Sequence, residues 1–466
     1  VSAEVDVFSS AGHTARAVRA GNLSAVAVAE AALAQVARVN GTLNAVVTLN
    51  PGALDEARRI DARVARGDDP GLLAGVPVGI KDITPVAGLR TTYGSPIFAD
   101  HVPNDDAVSV ARLRAAGAVI LGKTNTPEFA AGANTWNDVF GRTRNPWNPA
   151  LSAGGSTGGG AAALASGMIA LAEGTDLGGS LRLPAAFCGV VGLRPSVGLV
   201  PTHPWAWVWD TLSVSGPMAR TVDDVALMLQ VLAGPSPFAP LAQPVAGRDF
   251  VAAARAGPPD AVRVAYCGDI AGIGMDASIA ATCLAAAQSL GTPAAPVQEI
   301  AFDLSEFRDA FLTLRAEWFI ASMFDKLHAI DRFGVNVRAN TDAGLALDGR
   351  ALGAAQHARG RLWQRMRELF SGVDCLLTPT AAVAPFPVEQ NYPDTVAGTA
   401  MRTYVDWFAP TFLLSLTGLP VASVPCGLDA RGLPVGLQVV GRPNDEETVL
   451  AVAAEIQRRH PMALPR

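Results

Sequence analysis

Residues 151–201 read LSAGGSTGGGAAALASGMIALAEGTDLGGSLRLPAAFCGVVGLRPSVGLVP. Two Gly-Gly-Ser units, Gly154-Gly155-Ser156 and Gly178-Gly179-Ser180, bracket a run of small residues. Each glycine costs backbone entropy, so its repeated use points to positive φ or to close approach of another backbone. Serine hydroxyls presented on glycine turns, next to unobstructed backbone N–H groups, are the parts of an acyl-transfer site.

A third part stands upstream. Of 36 Lys and Arg residues, only Lys81, Lys123 and Lys326 are lysines. Arginine keeps its proton, whereas a buried lysine gives it up. Lys81 ends the apolar run Ala74-Gly75-Val76-Pro77-Val78-Gly79-Ile80, which reads as a buried strand. Desolvation there lowers the amine's pKa and makes it a competent general base. The alternative is a strand-end cation that pairs with Asp82 or reaches solvent.

Two other patterns compete for these residues. Gly154-x-Ser156-x-Gly158 has the form of a nucleophile elbow, but that motif needs a strand before its serine, and residues 148–153 (NPALSA) are poor strand formers. Gly117-x4-Gly122-Lys123-Thr124 has the form of a phosphate-binding loop, but Ala118-Val119-Ile120-Leu121 reads as a buried strand rather than a flexible cradle. Lys123 is then expected to close an ion pair or to hydrogen-bond loop carbonyls.

Taken in order, GVPVGIKD (75–82), GKTNTPEFA (122–130), FGRTRNPWNP (140–149), GGSTGG (154–159), GTDLGGSLRLPAAFCGVVGLRPS (174–196) and SVSGPMARTVDD (213–224) resemble the amidase signature enzymes. LLTPT (376–380), LTGLPVASVPCG (416–427) and GLPVGLQVVGRPNDE (432–446) extend the resemblance over nearly the whole chain. It implies an α/β fold with a central mixed β-sheet covered by helices on both faces, organised as one domain over 1–466. The signature core would occupy about 70–220. It also implies a triad of Ser180 as nucleophile, Ser156 as bridging residue held by a cis peptide bond, and Lys81 as base. The backbone N–H groups of Leu177, Gly178, Gly179 and Ser180 would form the oxyanion hole, with Asp176 and Arg182 fixing the loop. Thr157 stands where many members carry a second serine, and keeps a hydroxyl.

Composition fits a soluble enzyme. Hydrophobic residues make up 50% and charged residues 17%, enough for a large core. A net charge of −6 argues against a nucleic-acid footprint. No run of 18 or more apolar residues suggests a membrane span. Residues 1–6 (VSAEVD) lack the basic and apolar regions of a secretory leader, and the chain opens on Val1 rather than Met, consistent with removal of a preceding segment. A cytoplasmic location is expected. Cys188, Cys267, Cys283, Cys375 and Cys426 are scattered among apolar runs, so buried free thiols are expected. With no His/Cys cluster at ligand spacing, neither a metal nor another cofactor is expected. A monomer or homodimer acting on a small-molecule amide is the implied assembly.

Helices and strands alternate along the chain. Ser24 caps a helix to about Val39, and a helix over 105–116 leads into a strand at 118–121. Core segments at 168–172 and 190–193 flank the second Gly-Gly-Ser. Thr221 starts a helix to about Leu232. Pro/Gly-rich residues 234–260 read as a surface excursion. Strands are expected at 262–266, 375–377, 421–425 and 435–440, and a last helix from about Asp445. Long helices over 304–332 and 342–371 form the least family-like part. Such variable cover, about 300–370, is where substrate choice is expected to lie.

Substrate-binding residues are read from two stretches. Trp205, Trp207 and Trp209 would share one face if the segment is extended. They form either an aromatic pocket wall or packing beneath a loop. Gly132, Ala133 and Asn134 align with the segment that the family places across from the nucleophile, and their small size suggests an open pocket. The preferred substrate is an apolar or aryl amide, with carbamates as a further class. Family members that act on glutaminyl-tRNA typically carry Asp-Gln near Asp210, where this chain has Asp210-Thr211-Leu212-Ser213. The reading as one subunit of an amidotransferase is thereby weakened, and an α/β-hydrolase-type esterase is weaker still.

Overall fold

A computed structural model describes residues 5–205, 207–293 and 295–465. The first four residues of the leader reading, and Ala206 within the tryptophan segment, lie outside these. An eleven-stranded mixed sheet organises the chain. Its strands are β1 (Val46–Leu49), β2 (Pro77–Lys81), β3 (Val119–Thr124), β4 (Leu171–Asp176), β5 (Val191–Arg194), β6 (Val214–Ala219), β7 (Val264–Tyr266), β8 (Gln298–Glu299), β9 (Cys375–Pro379), β10 (Val421–Leu428) and β11 (Pro434–Gly441). Their spatial order is β1-β3-β2-β4-β6-β5-β10-β11-β9-β7-β8. Fourteen α-helices are found among the described residues. The mixed sheet with helical cover is the fold that the resemblance implies.

Strand β2 lies parallel to both neighbours, β3 and β4. Parallel strands sit in sheet interiors, covered on both faces. All five β2 residues are accordingly buried, and Val76, Val78 and Ile80 have no exposed surface. Lys81 is carried to the end of a dry strand because the residues before it offer the core only apolar side chains.

The small-residue run becomes the helix Gly158–Ala165, buried at every position. Glycine is required in it. A Cβ on Gly159 would stand 2.7 Å from the carbonyl oxygens of both Asn125 and Ala45. Irregular and bent backbone, not a strand, leads from Ala153 into Ser156, which removes the nucleophile-elbow reading. The phosphate-loop pattern resolves likewise: residues 119–124 are strand β3, and buried Lys123 donates to the Thr84 carbonyl and to Thr91 Oγ1 at 3.2 Å.

Most expected elements form with shifted ends. Ser24 caps Ala25–Leu43, accepting from Val26 and Ala27, and Thr221 caps Val222–Leu232. The two long helices expected over 304–332 and 342–371 are three. The first is α-helical only over Arg308–Met323 and tightens into a 3-10 segment, Phe324–Arg332. The second divides into Val335–Leu345 and Gly349–Gly372 because Asp348 caps the latter, accepting from Ala351 N at 2.7 Å. All five cysteines are free and buried. No helix of the described residues is long and apolar enough to cross a membrane.

Candidate active site

Lys81 and Ser156, 75 residues apart, meet in the core. Lys81 Nζ donates to Ser156 Oγ at 2.7 Å and to Thr175 Oγ1 at 2.9 Å. Both Lys81 and Ser156 have no exposed surface. Burial lowers the Lys81 pKa from 10.5 to about 7, although Glu173 and Asp176 pull it back up. Lys81 neither reaches solvent nor pairs with Asp82 among the described residues, and burial of this kind favours its neutral form. The Gly155–Ser156 peptide is cis, as the resemblance implies. Nothing in the sequence singles out Thr175. It lies near the end of β4, just before the loop that carries Ser180.

That loop is held from below. Asp176 accepts from Arg182 Nε at 3.0 Å and Nη2 at 2.9 Å, a two-point clamp with both side chains fully buried. Arg194 Nη1 reaches the Asp176 carbonyl and Arg194 Nη2 reaches the Leu212 carbonyl at 3.0 Å. Arg182 Nη1 continues to the Thr411 carbonyl at 2.9 Å and to Gln438 Oε1 at 2.8 Å. Burial alone would raise the Asp176 carboxyl, but Arg182, Arg194 and the Leu181 N–H outweigh it and hold it at about 2. A charge-assisted network of this kind fixes backbone direction.

One expected oxyanion donor is corrected. The Gly179 N–H donates to Asp176 Oδ1 at 2.9 Å, so it faces the carboxylate beneath the loop. The N–H groups of Leu177, Gly178 and Ser180 have no protein acceptor among the described residues. Gly179 adopts φ +136°, and a Cβ there would stand 2.7 Å from Thr411 Cβ. Gly179 is therefore needed for the turn, not as a donor. Thr157 keeps its hydroxyl, but that oxygen has no partner among the described residues; its N–H donates to the Ser180 carbonyl at 3.2 Å. No Ser156–Ser180 side-chain hydrogen bond is present among the described residues.

A cavity of about 450 Å³ opens over the loop, lined by Leu177, Gly178, Gly179 and Ser180. Gly132, Ala133, Trp205 and Trp207 also line it. Two expected binding residues do not. Asn134 is fully buried and tied to structure: it donates to the Val388 carbonyl at 2.9 Å and the Gln390 carbonyl at 2.7 Å, and accepts from Ser152 Oγ at 2.7 Å. Trp209 is 62% exposed, because the chain turns at Val208–Trp209 and an extended run does not form. Trp205 stacks on Trp318, with ring centroids 5.6 Å apart. The helix Arg308–Met323 supplies much of the remaining wall. A Cβ on Gly178 would lie 3.2 Å from the ring of Phe311 on that helix. Helical spacing alone could have flagged Phe311, Arg315, Trp318 and Ser322 as one face, but nothing in the sequence says that this face meets the cavity.

Among the described residues, no group of three or more His, Cys, Asp or Glu side chains is gathered as a metal site.

The Amidase family model matches residues 27–450. The chain belongs to the amidase family. It is 35% identical over 463 residues to an acylamidase of Rhodococcus erythropolis, covering 97% of this chain and 96% of that one. It is 37% identical over 470 residues to a glutamyl-tRNA(Gln) amidotransferase subunit of Roseiflexus sp. (strain RS-1), covering 95% of this chain and 94% of that one. A bacterial aryl acylamidase of the amidase signature family superposes with a TM-score of 0.90 at 28% identity, over 98% of this chain and 97% of that one. The chain is an amide-cleaving hydrolase of this family.

Proposed function

We propose that the enzyme hydrolyses apolar or aryl amides through an acyl-enzyme on Ser180, with carbamates as a second substrate class. The 2.7 Å contact between buried Lys81 Nζ and Ser156 Oγ carries this reading. Neutral Lys81 takes the Ser156 proton as Ser156 takes that of Ser180. Ser180 Oγ attacks the carbonyl carbon, and the developing oxyanion is received by the Leu177, Gly178 and Ser180 N–H groups. Ser156 returns a proton to the departing nitrogen, the C–N bond breaks, and water then cleaves the ester to release the acid. The Ser156–Ser180 link closes as substrate enters, since catalytic hydrogen bonds tighten in the Michaelis complex. The sequence is read as a single amidase unit over 1–466, acting alone or as a homodimer.

The aromatic wall of Trp205, Trp207 and Trp318 favours apolar substrates. A fluorophosphonate probe is expected to label Ser180, and Ser180→Ala to abolish both labelling and anilide hydrolysis. Labelling confined to Ser156 would overturn the assignment. Activity is expected to survive chelators; complete loss restored by zinc would be incompatible with this chemistry.

The amidotransferase relative, at 37% identity, supports a second reading as one component of a transamidating complex. Hydrolysis of simple anilides by the isolated chain separates the two readings. A chain that stays inert on them and gains activity only with partner proteins would favour the second.

A further inference from the structure

The cavity wall carries an unequal set of charges. Among the described residues, Asp210 is its one carboxylate. Asp210 is already committed: it accepts from the N–H groups of Leu212 at 2.7 Å and Ser213 at 3.0 Å, and from Trp318 Nε1 at 2.6 Å. The cations are not committed in this way. Arg315, only 6% exposed, has no carboxylate partner among the described residues. It donates to Asn340 Oδ1 and to the Tyr404 hydroxyl, two contacts from a group with five N–H donors. Its guanidinium lies over the rings of Phe319 and Tyr404, 4.9 Å and 5.2 Å from their centroids. Lys326, beyond it in the same wall, donates to the Ser322 carbonyl at 3.2 Å and has exposed Asp325 as its acidic neighbour.

A buried guanidinium without a counter-charge is costly, and ring faces repay only part of its lost hydration. A guanidinium clamped by an amide oxygen, a hydroxyl and two rings has a fixed direction, which suits it to recognise a planar anion at two points.

We infer that Arg315 receives a carboxylate on the substrate, at the end remote from the scissile carbonyl, with Lys326 adding positive charge behind it. This rests on the amide-hydrolase reading and narrows it to amides with an apolar middle and an acidic end. The spacing follows from the helix. Phe311 packs against the Gly178 loop, and Arg315 stands one turn further on, about 6 Å along the axis. That is the span of about five single bonds.

The test uses two anilides in which the same run of four methylenes joins the amide carbonyl to either a free carboxylate or its neutral counterpart, a methyl ketone. Released aniline is followed, which reports cleavage of one bond in both. The wild-type enzyme is expected to favour the acid in kcat/KM by about tenfold or more, the effect falling mainly in KM. Arg315→Gln is expected to erase the preference, and Arg315→Lys to keep part of it, because charge without the planar fork retains attraction but not two-point recognition. Equal wild-type rates on both anilides would overturn the inference. So would an Arg315→Gln variant that loses both substrates in proportion, with a matching fall in thermal stability.

Calorimetry on Ser180→Ala separates this inference from the reading beneath it. Tighter binding of the acid than of the ketone, abolished by adding Arg315→Gln, supports the carboxylate subsite even if Ser180 proves not to be the nucleophile. Equal binding of the two ligands sinks the subsite whatever hydrolysis shows.

Discussion

The floor and the roof of the cavity are built on different physics. The floor is the loop after β4 that carries Ser180, held by Asp176, Arg182 and Arg194, all fully buried and joined by charge-assisted hydrogen bonds. The roof is Trp205 and Trp207 with the helix Arg308–Met323, held by stacked rings and isolated polar contacts. A floor that must place backbone N–H groups within tenths of an ångström needs over-determined anchoring. A roof that only has to match a substrate's shape can vary while the floor stays fixed. Chemistry is thus expected to fail sharply on the floor, and preference to shift gradually on the roof.

The largest effect is expected at Lys81. Its pKa of about 7 makes the neutral fraction rise with pH through that value. Because only the neutral amine accepts a proton, kcat/KM should climb along one ionisation near pH 7 and level off above it. Lys81→Ala should lower kcat by about 10³–10⁴-fold while the fold persists. Lys81→Arg should fail comparably, since guanidinium keeps its charge and cannot act as base. An Arg variant with near-wild-type kcat would make Lys81 a structural cation and dissolve the contrast between floor and roof.

Next comes the anchor of the floor. Asp176→Asn leaves two buried guanidinium groups without their carboxylate, a loss of about 3–5 kcal/mol when one partner of a buried pair is removed. Denaturant unfolding measures it. The pH dependence has a definite sign. The Asp176 carboxyl is held at about 2 against an ordinary 3.8, so its contribution is present above the ordinary value and lost as pH falls from there toward 2. The Asn variant should show a flatter stability profile across that window. A variant as stable as wild type would mean that the loop is positioned by its glycines alone.

The difference in legibility between the two regions has the same origin. The meeting of Lys81 with Ser156, and the place of Ser180 on the cavity wall, can be anticipated because a lysine ending an apolar strand and two glycine-flanked serines are unusual in sequence. The two glycine-rich turns announce themselves in composition. Gly179 shows the limit of that reading: sequence marks a glycine but not which way its N–H points, and the Asp176 carboxylate three residues earlier decides it. Asn134 misleads for a related reason. An asparagine in a loop of small residues looks available, and only the arrival of the Val388 and Gln390 carbonyls from a segment more than 250 residues away shows that it is spent. For Arg315 the sequence offers only a helical face, with nothing to say that the face meets the cavity. Arg315 sits mid-helix among apolar residues, and only the tertiary packing shows that no acid faces it.

The smallest expected effect lies within the tryptophan segment and divides the roof against itself. Trp205 lines the cavity and stacks on Trp318, whereas Trp209 is turned to solvent at 62% exposure. An aromatic contact between Trp205 and an anilide ring is worth about 0.5–1.5 kcal/mol beyond its buried area. Trp205→Ala should therefore lower kcat/KM for an anilide by about 2- to 13-fold more than for a small amide such as acetamide, which does not reach the ring. Trp209→Ala should change both substrates alike, and stability by no more than about 0.5 kcal/mol, as for an ordinary surface position. Comparing the two variants on the same two amides removes differences in expression or active fraction, because only the ratio between substrates is read. If Trp209→Ala shifted that ratio as strongly as Trp205→Ala, the segment would have to fold over the cavity mouth when substrate binds, and the roof would be a moving part rather than a fixed wall.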